Sequence, residues 1–131
     1  MALNILLVDD NKTFLVAVRQ FLNRLSSAQV VAEAYDGRDA LDKAAALAPD
    51  LMLLDVAMPQ MNGLDVARTM QSWAQAPAII FLSMHDSSGY REAAAELGAR
   101  GFVSKADFVV GLLPMIEKLV AEKSAVERLR C

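Results

Sequence analysis

A chain of 131 residues that is 55% hydrophobic, 22% charged and −3 in net charge has the length of one ordinary domain. That apolar content excludes a disordered tail, and the acidic balance argues against a nucleic-acid surface as its main business. One cysteine, Cys131, excludes a disulfide or Cys/His metal framework, and no apolar run reaches the roughly 18 residues of a membrane span. With no basic region leading into an apolar leader segment, a cytoplasmic protein is expected.

Residues 3–8 (Leu-Asn-Ile-Leu-Leu-Val) read as a strand that runs into Asp9-Asp10. Asp10 or Asn11 can cap the helix that follows, where Phe14, Val18, Phe21, Leu22 and Leu25 recur at helical spacing. Residues 30–35 form a shorter, more polar strand of the kind that borders a sheet. Asp36-Gly37 starts a second helix to about Leu47, with Ala40, Leu41, Ala44 and Leu47 inward and Pro49 as its stop.

Leu51-Met52-Leu53-Leu54 then runs without alternation into Asp55, the pattern of a strand buried on both faces of a parallel sheet. Pro59 disfavours helix at Met58, so a loop follows, and Asn62-Gly63 can start a third helix that buries Leu64, Ala67 and Met70. The fourth strand, residues 78–82, ends in Ser83, and residues 86–88 can cap an alanine-rich helix that Gly98 terminates. A short fifth strand over residues 101–104 is closed by Lys105. The last helix is expected near Leu112 or Leu113, because Pro114 belongs in a first turn. Its inner face would carry Met115, Ile116, Leu119 and Val120. Five strands alternating with five helices make one doubly wound α/β domain around a parallel sheet.

The polar residues at strand C-termini are Asp9-Asp10, Asp55, Ser83 and Lys105. In an open parallel sheet these ends share one edge, where such sheets bind ligands. Each has a plain reading by itself: helix caps for Asp9 and Asp10, a loop contact for Ser83, an exposed turn for Lys105. Their joint placement points elsewhere. Three crowded carboxylates repel unless a cation sits among them, and oxygen donors suit Mg²⁺. A hydroxyl and an ammonium opposite would hold the oxygens of a phosphoryl group. The chemistry implied is phosphoryl transfer onto Asp55 as nucleophile.

With those residues in place, the chain resembles the receiver domains of two-component response regulators over about residues 3–123. The resemblance implies a flavodoxin-like five-stranded parallel sheet in the order 2-1-3-4-5. It implies a receiver domain over residues 1–123 and a C-terminal helix extension or linker stub over 124–131. It makes Asp55 the phosphoacceptor, with Asp9, Asp10, Asp55 and the backbone carbonyl of Ala57 holding Mg²⁺. Lys105 and Ser83 would hold the phosphoryl oxygens, and Ser83 with Phe102 would form the switch. The implied protein is a signalling module rather than an enzyme, catalysing only its own phosphorylation and dephosphorylation. Its partner would be a sensor histidine kinase, with a homodimer as a further expectation.

Two features depart from the family pattern: Ala106 stands where a proline is usual, and Phe102 lacks a tyrosine hydroxyl. Residues 82–86 and 101–107 look most like receivers that carry a helix-turn-helix output. Only 26 residues follow Lys105, so the reading is a stand-alone receiver or one separated from its DNA-binding module, without nucleic-acid or membrane contact of its own. A never-phosphorylated interaction module is opposed by the intact set of five polar residues. A phosphatase would want a second acid where Ala57 stands, and a flavin protein would want a glycine-rich phosphate loop.

Overall fold

The longest apolar runs of the sequence become the inner strands of the sheet. The computed structural model describes residues 2–84 and 88–130. Its five strands are β1 (Leu3–Val8), β2 (Ala28–Ala34), β3 (Leu51–Asp55), β4 (Ala78–Ser83) and β5 (Gly101–Ser104). All pair in parallel, in the order β2-β1-β3-β4-β5. The expected strand order and doubly wound architecture are therefore observed. Every residue of β3 is buried because helices cover both faces, which is why its sequence shows no alternation.

The intervening helices are α1 (Lys12–Asn23), α2 (Gly37–Leu47), α3 (Gly63–Met70), α4 (Ser88–Glu96) and α5 (Phe108–Arg130). Successive side chains of a strand point to opposite faces, so β3 feeds two cores. Met52 and Leu54 pack with Ala40, Ala44, Val66, Met70 and Ala94 of α2, α3 and α4. Leu51 and Leu53 pack with Leu15, Val18 and Leu22 of α1 and with Leu112, Ile116 and Leu119 of α5. Truncating one such residue, for example Leu53→Ala, is expected to cost about 2–5 kcal/mol.

Four local expectations are corrected by packing. The second strand spans Ala28–Ala34 rather than residues 30–35, since β1 pairs with it from Leu3 onward. On α1 the fully buried stripe is Leu15, Val18 and Leu22, with Phe14, Phe21 and Leu25 only partly buried. Leu47 stays 47% exposed, because α2 ends there on Ala48 in a left-handed conformation (φ 45°). The largest correction is α5, which begins at Phe108 and carries Pro114 inside it. Pro114 lies on the exposed side, so the carbonyl of Val110 that loses its helical partner can turn to water. Burial of Leu112 and Ile116 on either side holds the helix through the defect. Gly111 makes that approach possible, since a Cβ there would lie 2.7 Å from Val103 Cγ1. The capping assigned to residues 86–88 falls mainly on Asp86 and Ser87, which lie outside the described residues, as do His85 and Cys131.

Candidate functional site

The acids reach one edge of the sheet through the local rules that end each strand. Asp9 still bonds β2 through its amide, to Ala34 O at 3.1 Å, which holds its side chain at the sheet's C-terminal edge. Its Oδ1 accepts from Asn11 N at 2.9 Å, and Asn11 Oδ1 caps α1 by accepting from Phe14 N at 3.1 Å. After Asp55 the chain folds back on itself, with Gly63 N donating to Val56 O at 2.9 Å. Gly63 must be a glycine, because a Cβ would sit 2.2 Å from the Asp55 carbonyl oxygen. Asn62 and Asp65 then close a reciprocal capping box that starts α3.

Lys105 enters from the end of β5, in a short 3₁₀ turn whose Ala106 N donates to Ser104 Oγ at 3.2 Å. Its Nζ lies 2.5 Å from Asp9 Oδ2 and 3.3 Å from Asp55 Oδ1. Asp9, Asp55, Ser83 and Lys105 are the buried polar or charged residues among those described. Asp10 is exposed beside them. Asp10, Asp55, Ser83, Lys105 and Ala57 line one cleft of about 310 Å³, together with Asn11, Met84 and Tyr90. The Ala57 amide donates to Asp55 Oδ1 at 3.3 Å. Phe102 is not at this cleft: it lies on β5 opposite Phe81, partly buried, with the Arg91 guanidinium 4.8 Å from its ring centroid.

Electrostatics makes the cleft a strained place. Three carboxylates face one ammonium, an excess of two negative charges. Burial pushes the Asp55 carboxyl up from 3.8 to about 7, and the neighbouring Asp9 charge pushes the same way, against the pull of Lys105. Asp9 Oδ2 is buried with the Lys105 ammonium as its ion-pair partner and accepts no other hydrogen bond. One carboxylate oxygen from each of Asp9, Asp10 and Asp55 falls within 4.8 Å of the others. Such an all-oxygen donor set, two charges short of neutrality, fits a hard divalent cation and does not fit a soft one.

The structure places Asp9, Asp10, Asp55, Ala57, Ser83 and Lys105, all candidates from the sequence, at one edge, and adds Asn11, Tyr90 and Phe14 beside them. In the sequence Asn11 reads only as a cap. Tyr90 had no signal, because only the approach of α4 to the sheet turns it toward the cleft. Phe14 reads as part of an apolar helical stripe, yet the Lys105 ammonium lies 4.8 Å from its ring centroid.

A profile of the response regulator receiver domain matches residues 5–113. The chain belongs to that family. It is 35% identical over 106 residues to a protein-glutamate methylesterase/protein-glutamine glutaminase of Vibrio parahaemolyticus, covering 80% of this chain and 29% of that protein. It is 30% identical over 115 residues to the DNA-binding transcriptional activator EvgA of Escherichia coli K12, covering 88% of this chain and 56% of that one. The chain thus spans from under a third to just over half the length of these curated relatives. The signal receiver domain of the response regulator NarL from Mycobacterium tuberculosis superposes with a TM-score of 0.84 at 30% identity, covering 92% of this chain and 97% of that one. A LuxR-family response regulator from Aurantimonas superposes with a TM-score of 0.85 at 30% identity, covering 93% and 87%. This receiver has no helix long and apolar enough to cross a membrane among its described residues.

Proposed function

We propose that this receiver is a phosphorylation-dependent switch that takes a phosphoryl group from a sensor histidine kinase onto Asp55. One observation carries the reading: Asp55 is buried at the centre of a cleft where two further carboxylates and a single ammonium converge. In the transfer, the phosphorus–nitrogen bond of the kinase's phosphohistidine breaks as a bond forms to an Asp55 oxygen, and the histidine leaves as imidazole. Asp9, Asp10, Asp55 and the carbonyl of Ala57 would hold Mg²⁺, which would supply charge neutralisation and a template for phosphate oxygens. Lys105 now bridges Asp9 and Asp55, so it is already placed to follow the charge from the carboxylate to the arriving phosphoryl oxygens. Ser83, buried at the rim, completes that cradle. The chemistry proposed for this domain is its own phosphorylation and dephosphorylation.

The output follows from the same side chains. Ser83 drawn toward a phosphoryl group frees space beside β4 and β5, and Phe102 is the side chain poised to use it. The face of α4, β5 and α5 would then change its partners. The receiver would span residues 1–123, with 124–131 a C-terminal helix extension or linker stub, and the output would be either a DNA-binding module or a separate protein. Homodimerisation through this face and a cytoplasmic setting complete the reading.

The test is intact mass spectrometry after incubation with acetyl phosphate. Wild type should gain one phosphoryl group with Mg²⁺ and none in EDTA, and Asp55→Asn should gain none. Incorporation that persists in Asp55→Asn would sink the assignment.

A further inference from the structure

We infer that Phe14 is a positioning residue for Lys105, holding the ammonium over its aromatic face while that ammonium exchanges its carboxylate partner for phosphoryl oxygens; the inference rests on the phosphoacceptor reading of Asp55. The Lys105 Nζ lies 4.8 Å from the Phe14 ring centroid, within the range at which the negative face of the ring attracts a cation. The Lys105 side chain is 6% exposed, so water competes little for it and the attraction is stronger than at an open surface.

The ring is itself held. Phe14 and Phe21 stand seven residues apart on α1 and so share a face. Phe108, the first residue of α5, meets both edge-on, with centroids at 5.4 Å and 6.0 Å and planes at 76° and 81°. Phe108 follows Lys105 by three residues, across the turn that Ser104 caps. Phe14 in turn is tied to Asp9 through Asn11, by two successive side-chain to amide bonds. The carboxylate and the ring that hold the ammonium therefore belong to one capped turn, and Phe108, three residues after the lysine, packs against that ring.

The chemical use of this arrangement lies in what a ring face does not do. Carboxylates fix the direction of each N–H they accept, and phosphorylation takes away Asp55 Oδ1 at 3.3 Å, so the Asp9 ion pair would be the one carboxylate contact left while new partners are found. A ring face attracts the charge without claiming a particular N–H. It keeps the ammonium in the cleft while its hydrogen bonds are reassigned.

Two readouts test this, one independent of phosphorylation. In wild type the ring current should move the Lys105 ε-methylene protons upfield in NMR spectra. Phe14→Leu should abolish that shift and Phe14→Tyr should keep it. With acetyl phosphate and Mg²⁺, Phe14→Leu should take up phosphoryl roughly fivefold more slowly, equivalent to about 1 kcal/mol at 1.36 kcal/mol per decade. Phe14→Tyr should run near the wild-type rate, a rescue that lost packing alone would not give. Phe14→Met, flexible and without a π face, replaces Phe14→Leu if that variant folds poorly. Unshifted ε protons in wild type, wild-type uptake in both apolar variants, or Phe14→Tyr as slow as Phe14→Leu would each overturn the inference. A wild type that takes up no phosphoryl group refutes the phosphoacceptor reading instead, and the proton shifts still decide whether the ring holds the lysine.

Discussion

The sheet carries a lysine–aspartate cluster at each of its two ends, and the two are wired in opposite ways. At the N-terminal end Lys123 donates to Asp50 Oδ2 at 2.8 Å and to Ala2 O at 2.8 Å, while Asn4 N donates to the same Asp50 oxygen at 2.8 Å. One cation meets one anion, and the backbone satisfies the remainder. Partly exposed, this cluster fastens α5 to the start of β1, while Glu122 of α5 pairs with Arg100, just before β5, at 2.5 Å. At the C-terminal end Lys105 faces three carboxylates and is buried with two of them. The same residue types serve as a rivet in one place and as stored repulsion in the other. The difference is stoichiometry and burial, since an unneutralised charge costs far more without water.

That contrast can be broken at its strong end first. In the folded protein the Asp55 carboxyl sits at about 7, against 3.8 for an ordinary one. Between those values the folded chain keeps a proton that the unfolded chain has released. With metal chelated, stability should therefore fall as pH rises from about 4 to 7 and stay low above that. The upper bound on the loss is on the order of 4 kcal/mol, at 1.36 kcal/mol per pKa unit. Asp55→Asn, which carries no charge, should be more stable than wild type at pH 8 in EDTA and should lack that slope; denaturant titrations across the pH range would show it. A wild type whose stability rises over this window would contradict the stored repulsion.

A divalent cation should relieve the same strain. Mg²⁺ at ten times its dissociation constant should stabilise wild type by about 1.4 kcal/mol, through preferential binding to the folded state. Asp10→Asn should shift the Mg²⁺ titration to higher concentrations, while Lys123→Met should leave its midpoint alone. Calorimetric melting with and without the ion reads both.

The N-terminal cluster should answer in the other direction. Lys123→Met leaves the Asp50 carboxylate short of its cation and should cost about 1 kcal/mol, given partial exposure of both partners. Phosphoryl uptake should be unchanged, because the lesion lies at the far end of the sheet. Lost uptake in a folded Lys123→Met protein would show that the two ends are coupled rather than separate.

The smallest effect belongs to the switch. Phe102 has no hydroxyl to hydrogen-bond, and Arg91 of α4 lies over its ring at 4.8 Å. Arg91→Ala should remove an attraction of about 0.5–1 kcal/mol and raise the mobility of Phe102 before phosphorylation. Aromatic side-chain line shapes in NMR would register the change. A ring equally mobile in both proteins would return the switch to packing.

The phase of the helices and the members of the cleft were legible to different depths. Strands β1, β3 and β4 could be read from composition, because a strand buried on both faces must be apolar throughout. Asp9, Asp10, Asp55, Ser83 and Lys105 could be read as one site, because a parallel sheet delivers every strand's C-terminus to the same edge. The start of α5 could not. The cost of Pro114 is a local rule, but the burial of Leu112 and Ile116 and the close approach of Gly111 to Val103 are facts of packing that outweigh it.

By itself, then, the sequence determined which residues end the strands and which charges accumulate there, since both depend on spacing and composition along the chain. Only the tertiary structure decided what faces those charges. Phe14 reads as core until α5 brings Phe108 against it and turns its ring to Lys105. Tyr90 reads as one more residue of an alanine-rich helix until α4 leans over the cleft. Lys123 reads as a solvated lysine until the end of α5 meets Asp50, 73 residues earlier in the chain. Contacts between elements depend on helix phase and approach angle, set by the summed burial of two cores rather than by any local run of residues.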